Sequence, residues 1–169
     1  MSIDATDVHV HLSGRPVLAG ASISAQAGSV VGLLGPNGAG KSTLIRVLAG
    51  QLPTAGEVLV TGTPLATLSR DARARRIAYL PQQRVIGRPL KVEDIVALGR
   101  LPWNARQDGR DAEICRAAMA LMDVGHLAGR AANALSGGEQ ARVLAARAIA
   151  QDTAVLLADE PASGLDPAH

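Results

Sequence analysis

The chain has 169 residues, 47% of them hydrophobic, enough for one globular domain with a real core and too few for two domains of ordinary size. Seventeen Lys and Arg against fifteen Asp and Glu give a net charge of +2, and the basic residues are scattered, which argues against nucleic-acid binding and against an acidic tail. A lone cysteine, Cys115, excludes an internal disulfide. The opening MSIDATDVHVH lacks the charged and apolar regions of a signal peptide, so the cytoplasm is the expected compartment. No run approaches the roughly 20 apolar residues a membrane span needs, so any membrane must be reached through a partner.

In chain order, DVHVHL, ASISA, SVVGLL, EVLVTG, RIAYL and TAVLLA read as strands, and helical spacing appears over 41–49, 92–99, 111–123 and 139–150. The fold class is α/β. VVGLL and AVLLA are apolar on both faces, as parallel strands under helices require, whereas HVHL and EVLV alternate and suit a half-exposed antiparallel sheet. Between Gln82 and Asn133 the strand signal gives way to helix, which sets residues 86–133 apart as a helical subdomain from a core of 1–85 and 134–169. His9 and His11 read as ordinary strand residues and Cys115 as buried helix packing.

The segment Gly35, Pro36, Asn37, Gly38, Ala39, Gly40, Lys41, Ser42 follows an apolar strand and opens the helix KSTLIRVLAG, the spacing and context of a phosphate-binding loop. Glycines let the backbone wrap so that its N–H groups face phosphate oxygens, and the helix start at Lys41 to Thr43 adds about half a positive charge. Lys41 reaches the β- and γ-phosphates, and Ser42 offers a hydroxyl to Mg²⁺. Downstream, TAVLLADEP ends an apolar strand in two carboxylates. Alone that is a solvated strand tip; beside a phosphate loop, Asp159 is placed to hold Mg²⁺ and Glu160 to polarise an attacking water.

ALSGGEQARVLAARAIA holds a second helix start. Ser136 and Glu139 make an S-x-x-E capping box, but Gly137 and Gly138 each cost about 1 kcal/mol in a first turn relative to alanine. Missing Cβ atoms let an anion approach the exposed amides, so a second γ-phosphate site is favoured over a cap alone. One nucleotide is already provided for, so this second start most simply serves another molecule's nucleotide.

Together GPNGAGKST, LSGGEQ, LLADEP and SGLD, in this order over essentially the whole chain, resemble the ATP-binding cassette (ABC) ATPases. The resemblance implies a P-loop NTPase fold: a RecA-like core, an antiparallel β subdomain and a helical subdomain. It implies ATP and Mg²⁺ as cofactors, hydrolysis of ATP, and a head-to-tail dimer in which Ser136, Gly137, Gly138 and Glu139 close over the ATP of a second ATPase subunit. Gln82 in AYLPQQ matches the glutamine that completes Mg²⁺ coordination, with Gln83 as the adjacent alternative, and Asp166 in SGLD matches the aspartate that contacts the partner. The aromatic that often stacks on adenine has no counterpart near HVHLSGRPVL.

The stretch between Ser42 and Ser136 is too short for the long coiled coil of DNA-maintenance members and shows no sustained heptads. Translation-associated members carry two cassettes. LKVEDIVALGRLPW resembles importers of iron-siderophore, haem or cobalamin complexes, with Trp103 where those have Tyr or His. That implies an ATPase subunit on the cytoplasmic face of the inner membrane, docked through residues 86–102 on a permease and served by a periplasmic substrate-binding protein. Family members continue well past SGLDPAH to a histidine that contacts the γ-phosphate, and His169 lies too close to SGLD to be it. The resemblance therefore implies a cassette incomplete at its C-terminus. In the family a further strand fits between the two apolar ones, and buried backbone left unpaired costs about 1 to 3 kcal/mol per group; weak nucleotide binding without hydrolysis is the alternative expectation.

Overall fold

A computed structural model describes residues 2–82, 86–87, 89–103 and 109–161. The chain divides into two compact units, residues 1–77 and 78–169.

In the first unit, strands β1 (Ile3–Leu12) and β2 (Arg15–Ala25) form an antiparallel hairpin. Ser13 and Gly14 at its tip both have positive φ, 50° and 76°, as a two-residue turn matched to strand twist requires. Strand β3 (Ala55–Val60) pairs with the other edge of β1 and turns back into β4 (Thr63–Pro64), for a sheet order β2-β1-β3-β4. Ile3, Ala5, Val8, Val10, Val58 and Val60 are buried. The period-2 pattern of β1 breaks between Ala5 and Val8, where a register shift against β2 restores its apolar residues to the inner face. Helix α1 (Lys41–Leu48) buries Leu44, Ile45, Val47 and Leu48, its i, i+3, i+4 stripe, and stops at Gly50, whose φ of 66° is the left-handed conformation common after helix ends. Helix α2 (Arg70–Ala74) starts at Ser69, whose Oγ accepts from the amide of Ala72 at 3.2 Å.

One expected strand is absent. Residues 29–34, SVVGLL, belong to no sheet, and Val30 and Leu34 are 101% and 95% exposed. An apolar run becomes a parallel strand only when a ladder partner lies beside it, and the first unit's sheet lends this segment none.

Strand β5 (Ile77–Leu80), which but for its first residue belongs to the second unit, pairs with β6 (Val155–Ala158), and the amide of Asp159 donates to Leu80 O at 2.9 Å. Helices α3 (Val92–Ala97), α4 (Gly109–Leu121) and α5 (Gly137–Ala150) pack around a core that includes Val92, Val96, Met119, Val124, Val143 and Leu144. A 3-10 turn, Leu98–Trp103, continues α3. Cys115 is in this core; burial pushes its thiol pKa up, which keeps it protonated and unreactive. No helix among the described residues is long and apolar enough to cross a membrane.

Candidate nucleotide-binding site

The loop ahead of α1 turns through Gly38 and Gly40, with φ of 82° and 87°. Gly40 is the N-cap of α1 in the left-handed region, and no side chain caps the helix. A Cβ on Gly40 would lie 2.7 Å from Leu18 Cδ2 and 3.1 Å from the Val17 carbonyl oxygen, so β2 presses the loop backbone against the helix start and admits only glycine there. Lys41 Nζ folds over the loop and donates to Gly35 O and Pro36 O, both at 2.8 Å. The first turn of α1 holds no acidic residue, so a cation and a helix's positive end share this loop. Pro36, Asn37 and Ala39 line its exposed outer side, and Ser42 and Thr43 sit half-buried in the first turn.

In the second unit, the 2% exposed Asp159 ends β6 beside the exposed Glu160, whose φ of 49° is left-handed and strained for a non-glycine residue. Gln82, just past β5, donates from Nε2 to Glu160 Oε2 at 2.7 Å. Sheet pairing of β5 with β6 thus joins two side chains that stand far apart in sequence.

Ser136 caps α5. Its amide and hydroxyl donate to Glu139 Oε2 at 2.8 and 2.7 Å, and its Oγ accepts from the Glu139 amide at 3.3 Å. The hydroxyl first, then the amide, hold the Glu139 carboxyl below the usual range. A Cβ on Gly137 would meet nothing within 4 Å, so the front of this helix start is open. Gln140 reaches back from Nε2 to Leu135 O at 3.0 Å, a contact that LSGGEQ as a pattern does not reveal. Buried Arg100 was also missed: in sequence it is one charge among many, and burial is what marks it. Gln83, Asp166 and His169 lie outside the described residues.

Each of the two units offers oxygen donors of the kind Mg²⁺ takes. Among the described residues no group of three or more His, Cys, Asp or Glu could hold a metal ion. Mg²⁺ needs no such cage, because it is usually held by one or two protein oxygens, phosphates and water. The hydroxyl of Ser42 and the buried carboxylate of Asp159 are hard donors of that kind.

The ABC transporter family model matches residues 18–163. The chain belongs to this family, and membership implies ATP binding. It is 51% identical over 158 residues to the hemin import ATP-binding protein HmuV of Nocardia farcinica, covering 92% of this chain and 54% of that protein. It is 44% identical over 171 residues to the cobalamin import ATP-binding protein BtuD of Halobacterium salinarum, covering all of this chain and 43% of that protein. Among solved structures, a bacterial Atm1-family ABC exporter with ATP bound aligns with a TM-score of 0.83 at 28% identity, over 99% of this chain and 30% of the other. The chain thus spans about half the length of these two curated relatives.

Proposed function

We propose that this chain is the ATP-binding and ATP-hydrolysing cassette of an ABC importer, with a core of residues 1–85 and 134–169 and a helical subdomain of 86–133. The observation that carries the reading is Lys41 seated over the 35–40 loop, at 2.8 Å from two of its carbonyls, at the uncapped start of α1. Gly35 to Gly40 cradle the phosphates, Lys41 neutralises the β- and γ-oxygens, and Ser42 and Thr43 lie in the turn facing them. Ser42 from the first unit, and Asp159 and Gln82 from the second, would hold Mg²⁺, which would supply positive charge to offset that of the phosphates. Glu160 orients the attacking water and takes its proton.

The names of its relatives favour haem or cobalamin as cargo of the assembled importer, and the LKVEDIVALGRLPW resemblance keeps iron-siderophore complexes beside them. In that assembly Ser136, Gly137, Gly138 and Glu139 face the ATP of a second ATPase subunit in a head-to-tail dimer. Residues 86–102 meet the permease at the cytoplasmic face of the inner membrane, and a periplasmic binding protein delivers cargo from the other side.

Calorimetric titration with ATP and Mg²⁺ tests the core of this reading. Lys41→Ala removes charge-assisted hydrogen bonds worth about 1.5 to 3 kcal/mol each, so affinity falls on the order of 100-fold. Micromolar binding retained in that variant sinks the assignment.

A further inference from the structure

Helix α5 is tied to the segment before α4 at both ends. Near its start, the amide of Ile86 donates to Gln140 Oε1 at 3.4 Å, and a bridge joins Lys91 to Ala131, just ahead of the Ser136 cap. Its end is held more tightly. Arg100, 6% exposed, donates from Nη1 to Ala150 O at 3.0 Å and from Nε to Asp111 Oδ1 at 2.7 Å. Its guanidinium lies 5.4 Å from the centre of the Trp103 ring, and the indole N–H donates to Gln151 O at 2.7 Å. Gly99 comes so close to α5 that a Cβ on it would collide with the Arg147 carbonyl oxygen.

A helix leaves its last carbonyls without internal partners and negatively polarised. Here one guanidinium fork and one indole serve those carbonyls, both from the 3-10 turn 98–103. A planar fork fixes a direction, which a point charge does not. That turn also presents Leu98 and Leu101 to solvent, 42% and 64% exposed. Fourteen residues of α5 separate this end from Ser136, about 20 Å at 1.5 Å per residue.

We infer that Arg100, seconded by Trp103, is a positioning residue that locks the exposed Leu98/Leu101 face to α5, so that this face and Ser136 move as one rigid body. A displacement at the face then reaches the far end of the helix undamped. The fork resists rotation about the helix axis, and the Asp111 carboxylate stops the guanidinium from swinging away with solvent. The lock itself is independent of nucleotide; what it delivers to Ser136 rests on the function proposed above.

Spin labels on cysteines at Leu101 and Asn133, placed in the full chain with Cys115→Ala, read the lock as the width of one distance distribution. The parent gives a narrow distribution. Arg100→Met at least doubles its width while the cooperative melt persists, and Arg100→Lys, keeping the charge without the fork, falls between. An unchanged width in Arg100→Met overturns the inference. If that variant loses its cooperative melt, Trp103→Phe is read the same way: it keeps the ring and loses the donor to Gln151, and an unchanged width there overturns the inference equally. ATP titration of the parent separates the two readings, since a chain that binds no ATP fails the nucleotide assignment and leaves the distance result standing.

Discussion

Gln82 holds Glu160: the amide Nε2 donates to the carboxylate Oε2 at 2.7 Å, at the ends of two paired strands. The proposed role of Glu160, taking a proton from water, requires that its carboxylate be aimed, and the Gln82 contact is what holds it beside a strained backbone. On the proposed reading, Glu160→Gln is expected to lower ATP turnover of the assembled protein by about 10²- to 10⁴-fold, the contribution of a general base, with ATP binding kept. Gln82→Ala lowers it less. Single-turnover hydrolysis measures both, and full activity in Gln82→Ala would show that the amide does not aim the carboxylate.

Gly40→Ala forces a Cβ to within 2.7 Å of Leu18 Cδ2 at a φ of 87°. The expected loss of stability is about 1 to 3 kcal/mol, the usual cost of such backbone strain. Urea unfolding of parent and variant measures it. An unchanged midpoint would mean that β2 yields at Leu18 and that the loop does not need glycine there.

Glu139 titrates below the ordinary carboxyl range because Ser136 donates to it twice. A carboxyl whose pKa is lowered on folding adds stability above its unfolded value, about 4.3, and loses that contribution as pH falls through the lower folded value. Ser136→Ala removes the hydroxyl and keeps the amide, so the Glu139 pKa rises part of the way back. NMR titration of the carboxyl carbon follows this, and the same pKa in both chains would show that the hydroxyl is not the main cause.

Val30 and Leu34 stand in water within a β-prone run outside any sheet. Exposed segments of this kind associate edge to edge. Residues 1–169 expressed alone should therefore form concentration-dependent oligomers, and Val30→Thr with Leu34→Thr should reduce them. Light scattering after size exclusion decides; a monodisperse parent at all concentrations would remove the argument.

Helices were the most legible part of the sequence. The 3.6 period places 41–49 and 139–150 within two residues of α1 and α5, because amphipathic packing and caps are local. Strands were harder. RPVLAG, the first half of β2, lacks alternation and carries Pro and Gly, so only its partner β1 reveals it. SVVGLL has the composition of a strand, yet composition cannot supply a neighbour to bond with. The glycine loop and the Ser136 start were legible because each needs particular residues at fixed spacing. The Gln82 contact to Glu160 and the Arg100 fork were not, since they join elements that only the folded chain brings together.

The capping box at Ser136 has a consequence for how α5 would meet an anion. Its first turn already contains a negative partner, the carboxylate of its own Glu139, so the helix is complete before anything arrives. A phosphate approaching the open Gly137 side would therefore meet a helix whose cap is already made, and no new helix would form when it bound. Circular dichroism would be blind to such binding, and the reporter would be the Glu139 carboxyl, bonded to Ser136 at the same turn.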